Sequence, residues 1–201
     1  LVVTAANAMA LQLAAGSALS RSDINRIMTD HFGGTDALGA WSVRDAHAAL
    51  ELAQVQRLQA SDQVQPTSPI DEAEQFFCGL AARVPTQSNR SDEQIEWQQF
   101  ATPPRLAWLA ARACALAAGE LVLEPSAGTG MLAVWAAKAG SRLALNEISP
   151  LRRDCLSALF RAARVTGHDA ELIDELLDPA IIPSVVLMNP PYSHGIERGH
   201  D

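Results

Sequence analysis

Over residues 1–90 apolar positions recur at the three- and four-residue spacing of helices that bury one face. The pattern predicts a helix over residues 5–19. A second, capped by Ser22, runs through Ile24, Ile27 and Met28 to Phe32, where Gly33 and Gly34 stop it. Ser42 opens a longer helix in which Val43, Ala46, Leu50, Ala53 and Leu58 recur at helical spacing; residues 65–69 break the chain, and a fourth helix covers residues 70–83. Short links between four helices predict a small all-α domain over residues 1–90. Residues 85–92 are polar and rich in turn formers, and read as a linker.

The period then changes. Apolar runs of strand length at 121–123, 142–145 and 185–188, with a further strand end near Val165, alternate with helical patterns at 131–138 and 151–163. Such alternation predicts an α/β domain over residues 91–201, a Rossmann-like, doubly wound parallel sheet. Sheets of this kind bind ligands at the carboxyl ends of their strands, and the residues able to do chemistry fall there.

Composition adds bounds. The 201 residues suffice for a helical domain and part of a larger one, and 48% apolar with 19% charged residues describes a globular chain. A net charge of -8 is the wrong sign for holding phosphates, so any nucleic-acid surface is expected in sequence beyond Asp201. Cys78, Cys114 and Cys155 form no C-x-x-C pair, and the histidines have no ligand-like grouping, which predicts neither a disulfide framework nor a metal site. The apolar start lacks a basic leader region and no window has the length of a bilayer span; a cytoplasmic chain with no membrane partner is expected.

Four segments carry candidate chemistry. Glu124-Pro125-Ser126-Ala127-Gly128-Thr129-Gly130 follows a strand and opens a helix, so its small residues let the backbone turn sharply and approach a ligand, with Ser126, Ala127, Gly128 and Gly130 lining it. It lacks the Lys of a phosphate-binding loop, and its leading carboxylate suits a ligand with cationic groups. Glu147, with Ile148 beside it, ends the next strand, where a carboxylate can accept hydrogen bonds from ribose hydroxyls. Asp169 follows the third strand end and suits either the amino group of a purine or the cap of a helix over residues 170–177. Asn189-Pro190-Pro191-Tyr192 follows the last strand and is the most specific of the four. Its prolines stiffen the backbone and leave carbonyls projecting, so an amide, a carbonyl and an aromatic ring converge at one strand end. That set suits an exocyclic amino nitrogen: the Asn189 side-chain oxygen and the Pro190 carbonyl accept its two N–H bonds, while Tyr192 stacks on the planar ring that carries it.

In order and spacing these segments resemble the amino-methyltransferases of DNA modification, specifically the N6-adenine type with an N-P-P-Y motif. The resemblance implies S-adenosylmethionine as cofactor, its methionine part at residues 124–130, its ribose on Glu147 and its adenine at Asp169. Phe100-Ala101-Thr102-Pro103-Pro104 is similar to the family's additional cofactor motif, which adds Thr102 to the expected set; by the residues alone Thr102 is also an N-cap with Pro103 at the first helical position. The whole chain resembles the N-terminal methylase part of plasmid and phage methylase-helicases of the strawberry-notch type. The likeness implies a class I methyltransferase sheet cut after its fourth strand, with recognition and helicase regions beyond Asp201. Glutamine-N5 protein methylation, guanine-N2 RNA methylation and a non-catalytic cofactor-binding domain that docks a helicase are the alternatives.

Overall fold

The computed structural model describes residues 1–85 and 102–190. Helix α1, Val2–Ala14, ends five residues short of the expected limit, because Gly16 turns the chain with a positive φ of 80°. Leu19 is instead a buried connector whose N–H donates to the Arg83 carbonyl. Helix α2, Arg21–Phe32, is capped by Ser20 rather than Ser22. The Ser20 hydroxyl accepts from the Asp23 N–H and the Asp23 carboxylate accepts from the Ser20 N–H, a reciprocal pair that a cap at Ser22 has no acidic residue at the right spacing to form. Ser42 and Asp45 repeat the arrangement at the head of α3, Val43–Gln59, as expected. Helix α4 spans Ile70–Ala81.

Helix α3 is buried on several sides, and for that reason its apolar positions form no single stripe. Ala46, Ala49, Leu52 and Ala53 join α1 and α2 in one core. Val55 and Leu58 join Phe77 of α4 in a second, which continues into the sheet layer through Trp108, Val122, Trp135 and Leu145. The boundary expected near residue 90 lies outside the described residues. On either side of it, the helical segment and the sheet share a core.

After the helix α5, Pro104–Ala113, come strand β1, Leu121–Glu124, helix α6, Ala133–Lys138, and strand β2, Arg142–Asn146. Helix α7, Pro150–Leu159, strand β3, Arg164–Thr166, the short helix α8, Ile173–Leu176, and strand β4, Val185–Val186, complete the described chain. All pairings are parallel, in the order β3-β2-β1-β4. The Rossmann-like α/β expectation therefore holds, although β4 pairs over fewer residues than the apolar run 185–188 suggested. Among the described residues no helix is long and apolar enough to cross a membrane.

A link from α4 and one from the connector before it aim α5. Arg105 pairs with Glu74 of α4 at 2.5 Å, and Trp108 donates through Nε1 to the Gln65 carbonyl at 2.9 Å. Phe77 packs against both Trp108 and Trp135, with ring centroids 5.8 and 5.9 Å away.

Candidate functional site

Parallel pairing puts the carboxyl ends of all four strands on one edge of the sheet. Along it stand, in spatial order, Asp169 after β3, Glu147 after β2, the glycine turn after β1 and Asn189 after β4. The chain winds outward from β1 to β3 and then returns to the other side of β1, so the switch point of the topology lies between the glycine turn and Asn189.

One side chain pins three of these ends. Asn146, fully buried at the end of β2, donates through Nδ2 to the carbonyls of Pro125 and His168, both at 2.9 Å. Its Oδ1 accepts from the His168 N–H and the Thr166 hydroxyl, both at 2.8 Å. All the amide's bonding capacity is thus spent on the loops around the site. In the sequence Asn146 is marked only as a polar residue ending an apolar strand.

Glu147, 5% exposed, joins the turn to the next helix. Its Oε2 accepts from the Gly128 N–H and its Oε1 from the Ser149 N–H, each at 2.8 Å. Ile148 beside it is exposed. Within the turn the Ala127 N–H donates to the Asn146 carbonyl and the Gly130 N–H to the Ala127 carbonyl, while Ser126 is half-buried. Gly128 and Gly130 have φ of 57° and 97°. A methyl group on Gly128 meets nothing within 4 Å, whereas one on Gly130 falls 2.5 Å from the Phe160 ring. The first glycine thus leaves open space beside the backbone, and the second permits close packing behind it.

Glu124 is the anomaly of the site. It is 2% exposed at the end of β1, and its Oε2 has no hydrogen-bond partner. Burial pushes its carboxyl well above the ordinary 4.5, the Glu147 carboxylate raises it further, and the Ala133 N–H donating to it pulls the other way. A carboxyl raised in this way carries a contribution to folding that is fully present below 4.5 and lost as pH rises through the folded value.

Asn189 lies next to Thr102, its Nδ2 donating to the Thr102 Oγ1 at 3.0 Å. The two segments are far apart in sequence, and nothing local predicts the bond. Thr102 is not the N-cap expected of it: Pro103 occupies the cap position, Pro104 the first helical one, and no side chain caps α5. Asp169 is exposed and caps a 3-10 turn, Ala170–Leu172, accepting from the Glu171 N–H at 3.0 Å. The helix expected to continue to residue 177 is split between that turn and α8. Pro190 is described and exposed; Tyr192 lies outside the described residues. Among the described residues no three His, Cys, Asp or Glu side chains are grouped to hold a metal.

No family model matches the chain, and no curated protein matches it. Among solved structures it is similar to a proposed RNA methyltransferase of Pyrococcus horikoshii, with a TM-score of 0.43 and 21% identity over 61% of this chain and 61% of that one. It is also similar to a protein-L-isoaspartate O-methyltransferase, TM-score 0.40, 13% identity, 84% of this chain and 47% of the other. A third is coclaurine N-methyltransferase bound to N-methylheliamine and SAH, TM-score 0.34, 16% identity, 92% and 54%. The chain matches less than two thirds of the length of each.

Proposed function

We propose that the chain is the cofactor-binding part of an S-adenosylmethionine-dependent methyltransferase acting on an exocyclic amino nitrogen, adenine N6 in DNA. The observation that carries the cofactor part of the reading is the Glu124 oxygen, buried and without a partner beside a turn whose Gly128 leaves open space, while the amino target rests on the Asn189-Pro190 segment. A buried carboxyl with an unused oxygen is costly unless something supplies the missing partner. A ligand bearing an ammonium and a sulfonium fits this site, because positive charge offsets the repulsion between Glu124 and Glu147. Each Glu147 oxygen accepts one backbone N–H and keeps a second lone pair, enough for a pair of ribose hydroxyls. Asp169, on the same edge, suits the adenine end.

When bound, S-adenosylmethionine supplies a methyl group already activated by its sulfonium. The residues of the chain then have the target amine to prepare. An exocyclic nitrogen is a weak nucleophile because its lone pair is delocalised into the ring. Acceptors on both of its N–H bonds localise that pair and stabilise the positive charge that develops during attack. With Nδ2 engaged by Thr102, the Asn189 Oδ1 serves as one acceptor, and the Pro190 carbonyl is the other. Tyr192 offers a face on which the extruded base stacks. The net charge of -8 leaves little to hold phosphates, which supports a reading in which phosphate contacts are made by other sequence.

Methyl transfer from labelled cofactor tests the reading. The natural full-length protein should label DNA at adenine N6. Label appearing instead on release-factor glutamine or on RNA guanine moves the chemistry to another amino nitrogen, and no label on any of them removes the enzyme.

Two binding predictions accompany it. Glu147→Ala should weaken cofactor binding by about tenfold to a hundredfold, the cost of losing hydrogen bonds to a charged acceptor. Calorimetry showing equal affinity in the two proteins would remove Glu147 from the site. Glu124 predicts proton release: a cationic ligand favours its ionised form, so binding expels the proton that burial retained and strengthens as pH rises. The binding enthalpy of the parent should therefore vary with the ionisation enthalpy of the buffer, and that of Glu124→Gln should vary less.

A further inference from the structure

We propose that α3, far upstream in the chain, is a working part of the ligand site, with Glu51 positioning the glycine turn through Thr129. The inference depends on the reading above only for the identity of the ligand.

Glu51 is 3% exposed and sits between Leu50 and Leu52, both buried, in a helix that is otherwise mostly apolar at its centre. Such a place for a carboxyl calls for a partner. Its Oε2 accepts a long hydrogen bond from the Thr129 hydroxyl at 3.4 Å and stands 3.8 Å from the Arg152 guanidinium. Thr129 belongs to the turn after β1, Arg152 to α7 after β2. One side chain of α3 therefore touches the segments that follow two neighbouring strands.

A second contact runs the same way. Arg44 precedes Glu51 by two helical turns, a spacing that puts both residues on one face of α3. Its Nη2 donates to the Ser149 Oγ at 2.9 Å, and Ser149 is one of the two residues whose N–H groups Glu147 holds. Glu147 thus joins Gly128 and Ser149, while Glu51 and Arg44 hold Thr129 and Ser149 from α3. Two carboxylates on elements distant in sequence thus hold adjacent residues of the turn, Gly128 and Thr129. Glu51 is a positioning residue: it reaches the ligand through the backbone of residues 128–130.

The rival account makes Glu51–Arg152 a structural pair with no bearing on the ligand, since many buried ion pairs can be replaced without loss. The two accounts differ for Thr129→Val, which keeps the shape and removes the hydroxyl. Thr129→Val, Thr129→Ser and Glu51→Gln should be compared in the full chain by melting temperature, ligand-free amide hydrogen exchange over residues 126–130, and affinity for S-adenosylhomocysteine. Thr129→Val should melt close to the parent, exchange the turn amides about tenfold faster and bind about three- to tenfold more weakly, and Thr129→Ser should recover both. Glu51→Gln should follow Thr129→Val.

Parental exchange rates in folded Thr129→Val and Glu51→Gln would overturn the positioning role. Faster exchange with unchanged affinity would overturn its part in binding. If the parent itself binds no S-adenosylhomocysteine, the cofactor reading falls, and exchange alone still decides for or against the positioning role. If Thr129→Val does not fold, Glu51→Gln and Thr129→Ser decide by the same measurements.

Discussion

Under the proposed function, replacing Asn189 by Ala in the full-length protein should lower methyl transfer at saturating cofactor by on the order of a hundredfold or more, with little change in cofactor affinity. The asymmetry follows from when its contacts are made. In the proposed reaction the Oδ1 accepts from an amino group whose N–H bonds become stronger donors as charge builds on nitrogen, so the contact tightens towards the transition state and belongs in turnover. Thr102→Val should fall between the parent and Asn189→Ala, because it removes the partner of Nδ2 at 3.0 Å and lets the amide rotate without deleting it. Single-turnover rates together with calorimetry separate the two quantities. If Asn189→Ala transferred methyl groups at the parental rate, the proline turn would be structural only and the amine-activation mechanism wrong.

Gly130→Ala should be the most damaging small substitution in the turn. Its φ of 97° is strained for any residue with a Cβ, and the added methyl would sit 2.5 Å from one carbon of the Phe160 ring and 3.1 Å from another. Backbone strain and overpacking together cost about 3 kcal/mol or more, a drop of roughly 6–12 °C in melting temperature for a chain of this size. Phe160 is 5% exposed and packed in the core, so it has little room to withdraw. Gly128→Ala is the control, with a φ of 57° in the ordinary left-handed region and open space beside it. It should cost about 1 kcal/mol in stability and act mainly on ligand binding. Equal melting temperatures for the two variants would contradict the packing behind Gly130.

Strands β1, β2 and β4 were legible because each lies in a short apolar run followed by a candidate segment, whereas β3, Arg-Val-Thr, is no such run and only Val165 marked its end. Periodicity gave the existence of the N-terminal helices better than their ends. Leu19 reads as a last helical residue because it is apolar and in phase, yet Gly16 has already turned the chain and Leu19 packs from a connector. Ser20 and Ser22 differ only in which has an acidic residue three positions on, a cue that the sequence contained. The contacts that complete the site were not legible. Asn146, Glu51 and Thr102 each act through partners on other elements, and a sequence pattern carries residue types without their long-range pairing. Glu124 reads in the sequence as suited to a cationic ligand. Its orphaned oxygen became visible only with the burial that the sheet imposes.

The two buried faces of α3 have a consequence for the order in which the protein is made. One face is covered early, because α1 and α2 precede it and supply Met9, Leu13 and Met28 to their common core. The other, with Val55 and Leu58, is covered by residues such as Trp108, Val122 and Trp135, which leave the ribosome later. During that interval a nascent chain carries a half-finished helix layer with apolar surface facing water, the condition in which chains associate wrongly or engage chaperones. A translational pause placed after α4 would lengthen the exposure, and the core closes fully only once Leu145, Leu156 and Leu187 have followed.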